Sequence, residues 1–417
     1  MSHFSSEPSP ARISAVSPRL RFWLAYAALV AIGCNLRSPL TAIPSVLENI
    51  RADLGLSAPL AGVLTSIPVL CFGLLPPLLS PLIKRLGIDR AVYAALMGSM
   101  LGMLIRPWGG VAGLLAGTLV SGVSLALGNI IALLVVARDF ARQVHTATGI
   151  YTASINIGAM LTIGLTVPLA HSVGWQKALT LWSLLALGAM AIWWLKGRLD
   201  PPASEPAPSR GGSTAVAGPL WNRPVVWIIT AAFSLHIFAY YALTAWLPAY
   251  LVDSGTMSPR DAGFVASSFQ IFSLSSALGV PLLARRMSLS GLLVLMGAAW
   301  TFAPLWLLIA PGQWYLWSPI GSFAHGGTFI LVFMMIMEHA HDIDDNRRIS
   351  TLVQSVGYVV GATGPVLMGW LHKQTGGWHA GLGLLVVAIF PLVPLGLAMH
   401  RWGPRTGQGV HGQDNGD

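Results

Sequence analysis

Only 9% of the 417 residues are charged, 54% are hydrophobic, and mean hydropathy is +0.67. Soluble domains carry roughly 25% charge, so most of this chain is out of contact with water. The net charge of +9 comes from basic residues scattered through short loops, with no basic helix or patch, which excludes a nucleic-acid partner; Cys34 and Cys71 both lie in apolar stretches, which excludes a disulfide framework.

Arg19-Leu20-Arg21 followed by an apolar run has the outline of a signal peptide. The run continues past any cleavage site and many similar segments follow, so it reads as a first span. Windows of about 20 apolar residues predict spans at 22–47, 58–81, 91–107, 110–136, 146–170, 175–196, 224–251, 262–284, 288–310, 314–338, 349–371 and 378–400. The expected fold is an all-α membrane protein of twelve transmembrane helices. Residues 1–21 and 401–417 are tails. Residues 22–196 and 224–400 form two six-helix halves, and 197–223, with Pro201, Pro202, Pro206, Pro208 and a Gly-Gly-Ser-Thr stretch, is a linker.

Lys and Arg counts orient the spans. With both termini cytoplasmic, eighteen of the 24 basic residues fall on the inner side. Five (Arg51, Arg106, Lys177, Arg260 and Lys373) fall in outer segments, and Arg37 lies within the membrane. All 15 acids fall in loops, tails or span ends.

The first span contains residues 33–44, G-C-N-L-R-S-P-L-T-A-I-P, with Arg37 as its charge. A guanidinium at bilayer depth costs about 2.5–3.5 kcal/mol on insertion scales, so it is kept where it faces a cavity or meets an anion or dipole. Its planar fork suits nitrate-like, carboxylate or cyanate-like anions, and the bland alternative is a structural lock on carbonyls of a Pro-disturbed helix.

The halves repeat at an almost constant offset. Leu40-Thr41-Ala42 recurs as Leu243-Thr244-Ala245, Gly158-Ala159 as Gly361-Ala362, and Gly174-Trp175 as Gly377-Trp378. Two parallel halves joined by a linker match a secondary transporter with its substrate at midplane. The repeat maps Arg37 onto Tyr240, Gly33 onto His236 and Tyr151 onto Gln354, setting Arg37 opposite His236 and Tyr240.

The other intramembrane polar residues each have two readings. Asn35, two residues from Arg37, points elsewhere on the helix and suits an interhelical hydrogen bond. Asn129, Tyr151 and Gln354 suit either a cavity or packing, and Trp246 either an aromatic wall or an interface anchor. His236 and His325 could be satisfied by helix–helix hydrogen bonds. With no buried carboxylate available, they are also the candidate proton carriers if transport is proton-coupled. The cluster Glu338-His339-Ala340-His341-Asp342 raises a metal site, and with it a metal-dependent membrane enzyme, but matches no zinc spacing and reads as a solvated loop. No phosphate loop of the G-x-x-x-x-G-K-[ST] type is present, so ATP use is not expected.

Four stretches resemble the major facilitator superfamily, and within it the cyanate-porter branch, which also includes 2-nitroimidazole exporters. They are Asn35-Leu36-Arg37 with Leu40-Thr41; Tyr240 through Ala245-Trp246-Leu247-Pro248-Ala249; Gly326-Gly327-Thr328-Phe329; and Gln354-Ser355-Val356-Gly357-Tyr358. Ser38 separates Arg37 from Pro39, where the family places Pro directly after Arg, and His325 stands where an apolar residue is usual. The resemblance implies alternating access, with spans 1, 4, 7 and 10 lining the cavity. It adds Asn35 to the substrate-binding candidates Arg37, Tyr240, His325, Asn129, Tyr151, Gln354 and Trp246. The expected protein is a monomeric, multi-pass transporter of the bacterial inner membrane. It moves a small anion or small polar solute, with the lipid bilayer and protons as its other partners and no cofactor. An exporter of neutral drugs such as nitroimidazoles is the alternative.

Overall fold

The computed structural model describes residues 17–141, 143–199 and 220–400. Both tails up to residue 16 and from 401, Arg142, and linker residues 200–219 lie outside the described residues. Five of the inner-side arginines, Arg12, Arg142, Arg210, Arg401 and Arg405, therefore lie outside them too.

Proline and glycine dictate where the apolar segments bend. The first segment comprises α1 (Pro18–Asn35), α2 (Ser38–Ser45) and α3 (Leu47–Leu54). Pro39 has no N–H for the carbonyl four residues back, so α1 stops at Asn35 and α2 restarts beyond Arg37. The second segment bends by 68° between α4 (Ala58–Leu74) and α5 (Pro76–Leu86), where Pro76-Pro77 removes two donors. Then come α6 (Ile88–Ile105), α7 (Gly110–Asp139), α8 (Val144–Val173), α9 (Trp175–Leu181) and α10 (Ser183–Leu199). After a 3-10 turn at Leu220–Asn222 follow α11 (Pro224–Asp253), α12 (Pro259–Leu274), α13 (Ser276–Ala284), α14 (Leu289–Ile309) and α15 (Trp314–His339). The chain ends with α16 (Ile343–Gly361), α17 (Thr363–Thr375), α18 (His379–Ile389) and α19 (Leu392–His400).

Among the described residues ten helices are long and apolar enough to cross a membrane, or eleven if α4 and α5 count as one span. This count takes α9 with α10, α12 with α13, α16 with α17 and α18 with α19 as continuous. The stretch 22–47 is not among the ten; its helix breaks around Arg37 and again at Val46, and α1 alone carries Arg19 and Arg21 in its 18 residues.

The repeat read from sequence recurs as packing. The first segment lies against α8 as α11 lies against α16, α6 against α7 as α14 against α15, and α4 against α7 as α12 against α15. Glycine permits the closest approaches. A Cβ on Gly158 would lie 2.3 Å from the Cys34 carbonyl oxygen, and a Cβ on Gly361 2.3 Å from Ile237 Cγ2, the same contact 203 residues on. Between the halves, α4 packs on α16 and α17, α8 on α12, and α2 on α11. There Gly62 meets the Pro365 carbonyl and Gly369 the Ala58 carbonyl, each at 2.6 Å from the Cβ it lacks.

Polar contacts fasten the ends of the halves. Trp175 Nε1 donates to Asp53 Oδ2, and Trp378 Nε1 to Asp253 Oδ2, both at 3.0 Å. At the opposite ends, Arg138 bridges Asp89 and Asp139, while Arg223 donates to Asp345 at 2.7 Å and to the His339 carbonyl. Asp345 also accepts from the His341 backbone amide and faces the His341 ring. Among the described residues no three His, Cys, Asp or Glu side chains gather into a metal site, and residues 338–342 serve this helix-end network.

Arg106 departs from expectation. The charge count places it in an outer segment, yet it is 2% exposed, folded back against the first segment. Arg37 is therefore not the sole arginine placed inside the helix bundle.

Gly158 is expected to tolerate no side chain. Gly158→Leu should lower stability by about 1–3 kcal/mol through overpacking against Cys34. Gly149→Ala, on the same helix with nothing within 4 Å, should leave the melting temperature in detergent nearly unchanged.

Candidate functional site

The site grows from the break in the first segment. With Pro39 unable to donate, the amides of Leu40 and Thr41 turn to the Arg37 carbonyl, at 3.0 and 2.9 Å. Ser38 Oγ donates back to the Cys34 carbonyl at 3.0 Å, and Thr41 Oγ1 donates to the Arg37 carbonyl at 2.9 Å. Thr41 Oγ1 also meets Thr162 Oγ1 of α8 at 2.6 Å. The interruption thus has its own hydrogen bonds, as unwound backbone at membrane depth requires.

From this break the Arg37 side chain crosses to the second half of the chain, where Nη1 donates to the Tyr241 hydroxyl at 3.2 Å. A cavity of about 30 Å³ lies beside this bond, walled by Arg37, Phe72, Asn129, Ile155, Tyr241 and Tyr358 among others. Those residues come from the first segment, α4, α7, α8, α11 and α16. Tyr151 donates to Asn129 Oδ1 at 3.2 Å, so the phenol orients the amide from behind. Phe72 and Tyr358 rings lie 5.5 Å apart. Among the described residues no carboxylate lines the cavity. A fixed cation, hydroxyl and amide donors and aromatic faces make up its chemistry, which suits an anion or a planar polar solute.

A second group of rings stands beside Tyr241. His325 of α15 is sandwiched between Tyr240, at 4.0 Å and 7°, and His236, at 4.9 Å and 11°. Phe269 and Trp300 complete the box, and Gln270 Nε2 donates to the Tyr240 hydroxyl at 3.4 Å. Both His236 ring nitrogens are buried without a hydrogen-bond partner, so the helix–helix bond offered as their bland reading is not made. The Tyr240 and Tyr241 rings are 5.1 Å apart, which links stack and cavity.

The candidates thus separate. Arg37 and Asn129 share the cavity, with Tyr151 behind Asn129. Tyr240, expected opposite Arg37, belongs to the histidine stack, and its neighbour Tyr241 faces the guanidinium instead. Tyr240 is the repeat equivalent of Arg37, but the phenol that meets the guanidinium is one residue further on, about 100° around the helix. Asn35 turns into the first half, beside Ser99 and Ser124 between α1, α6 and α7. Trp246 is fully buried, donates to the Pro365 carbonyl at 2.9 Å and packs on Trp378, so it wedges α11 against α17 and is not part of the cavity wall. Gln354 is half-buried on α16, one turn before Tyr358. Sequence reasoning missed Tyr241, Tyr358 and Phe72. Tyr358 had a signal, because it closes the Gln354-to-Tyr358 motif and shares a helical face with Gln354.

The sequence model of the Major Facilitator Superfamily matches residues 25–365. The chain belongs to the major facilitator superfamily. It is 32% identical over 373 residues to the uncharacterized transporter YycB of Bacillus subtilis strain 168, covering 88% of this chain and 91% of that one. It is 30% identical over 369 residues to the 2-nitroimidazole transporter of Escherichia coli K12, with coverage of 88% and 92%. Identity to the cyanate transport protein CynX of the same organism is 27% over 353 residues, covering 84% and 90%. A bacterial homolog of the human lysosomal transporter Spinster has the same fold, with a TM-score of 0.74 at 15% identity over 92% of this chain and 97% of that one. This superfamily member is a multi-pass membrane transporter, and its family and relatives are transporters, not enzymes.

Tyr241→Phe should weaken binding of a transported anion about tenfold, the worth of a hydrogen bond to a charged group. Trp246→Phe should lower the melting temperature and leave affinity unchanged. Titration calorimetry on the purified variants checks the affinities, and a thermal melt in detergent checks the stability.

Proposed function

We propose that this protein is a secondary transporter moving a small anion or small polar solute, of cyanate-like, nitrate-like or carboxylate type, across the bacterial inner membrane by alternating access. The observation that carries this reading is the Arg37–Tyr241 bond between the halves, beside a cavity lined by donors and aromatic rings without a carboxylate. In this reading the broken first segment counts as one span, as do α4 with α5, giving twelve spans with both termini cytoplasmic. The halves are 22–196 and 224–400, joined by a linker over 197–223 between tails 1–21 and 401–417, and the unit is a monomer. Arg37 is the central substrate-binding residue, with Asn129 and Tyr151 supporting it from the first half and Tyr240, His325 and Gln354 from the second. Asn35 and Trp246 act through packing.

Protons are the proposed co-substrate. His236 and His325 lie in contact beside a cavity that no carboxylate lines among the described residues, so imidazole is the proposed proton acceptor there. The aromatic faces of Phe72, Tyr241 and Tyr358, together with the 30% identity to a 2-nitroimidazole transporter, favour a second reading. There the substrate is a neutral nitro compound whose oxygens accept from Arg37.

Proteoliposome uptake of cyanate, nitrate, formate and 2-nitroimidazole tests the proposal. Arg37→Ala should abolish uptake of the transported compound, and Arg37→Lys should reduce it at least tenfold, because an ammonium lacks the planar fork. Normal uptake by both variants would refute the central role of Arg37. Separately, substrate-driven proton flux should disappear in the His236→Gln, His325→Gln double variant. Unchanged flux there removes the histidines from coupling.

A further inference from the structure

A second arginine is buried against the segment that carries Arg37. Arg106 follows the last residue of α6 and is 2% exposed, and its Nη1 donates to the carbonyl of Pro39, 67 positions earlier, at 2.7 Å. Its Nε and Nη2 are also buried and have no hydrogen-bond partner. Pro39 lies two residues beyond Arg37, in the first turn of α2, and Arg37 is the N-cap of that helix, with no side-chain cap of its own. Burying a guanidinium is far more costly than burying a neutral amide donor, so a bond to one carbonyl is an expensive use of it.

We propose that Arg106 is a positioning residue for Arg37. A short helix of eight residues, set off from α1 by Pro39, lacks a continuous backbone ladder to the helix before it and keeps the Ser38 Oγ bond to the Cys34 carbonyl. Beyond packing, side-chain hydrogen bonds reach it from two sides: from Arg106, just after α6, at the Pro39 carbonyl, and from α8, where Thr162 meets the Thr41 hydroxyl and the Ile163 carbonyl accepts from Ser45 Oγ. Arg106 grips the first turn, immediately beside Arg37, with a charged donor that makes a shorter and stronger bond than a neutral one. That grip fixes the backbone at Arg37, and so the direction in which its side chain leaves toward Tyr241. The consequence for transport rests on the proposed role of Arg37 in binding substrate. The control of α2 by Arg106 does not.

The test uses the full-length protein purified in detergent, with two measurements. Hydrogen–deuterium exchange follows the peptide covering residues 36–45, and calorimetry follows binding of cyanate, nitrate and 2-nitroimidazole. Arg106→Met should exchange at least tenfold faster in that peptide and bind the transported compound at least tenfold more weakly, with a melting temperature within a few degrees of wild type. Arg106→Lys, which keeps a charged donor, should recover most of both. Arg106→Gln, a neutral donor, should fall between them, and it takes the place of Arg106→Met if that variant does not fold. In an Arg37→Lys background, adding Arg106→Met should cost less than a further threefold, because it acts through the same side chain. Unchanged exchange in Arg106→Met, or a full independent loss in the Arg37→Lys background, overturns the proposal. If instead α2 exchange rises while Arg37→Ala binds normally, the substrate role of Arg37 falls and the control of α2 by Arg106 stands.

Discussion

A guanidinium within a membrane domain needs acceptors for its N–H groups, and an unbroken apolar helix offers none. Much of the first half follows from that constraint. Pro39 interrupts the helix beside Arg37. Ser38 and Thr41 return hydroxyls to the freed backbone, and Thr162 supports them from α8. Arg37 then finds its acceptor in Tyr241, across the boundary between the halves. The close approach of the first segment to α8 at Gly158 gives this arrangement its rigid backing.

The division of chemistry between the halves gives the Arg37–Tyr241 bond its interest. The first half supplies the cation and the second the phenol, with the ring stack of Tyr240, His325 and His236 behind it. A ligand that takes Nη1 away from Tyr241 removes a bond between the halves. A ligand that accepts from both groups replaces that bond with a bridge. In either case occupancy changes what holds the halves together, which is how differential contact with two conformations shifts their populations.

Much of this architecture was legible in the sequence because it rests on periodic needs. The pairs Gly158 with Gly361 and Trp175 with Trp378 recur at one offset since each marks a contact made once in each half, and the structure shows those contacts. Arg37 was legible because one charge in a long apolar window has few explanations. Three things were not. Hydropathy windows average over a break, so 22–47 read as one span although its helix divides. Arg106 sits between Ile105 and Pro107 at a span end, where a count of loop charges cannot distinguish a residue facing water from one folded back into the bundle. Tyr241 was hidden behind Tyr240, because the repeat gives the position equivalent to Arg37 and not the position in contact with it, which lies one residue further on and about 100° around the helix.

The indole-to-carboxylate bonds of Trp175 with Asp53 and Trp378 with Asp253 each stay within one half. Each joins the far end of a half's first segment to the start of its sixth, so each half is tied shut by its own residues. Both residues of the first clasp precede α11 in the chain, so the first half needs no residue of the second to close it. The halves can therefore move against one another without either clasp having to open.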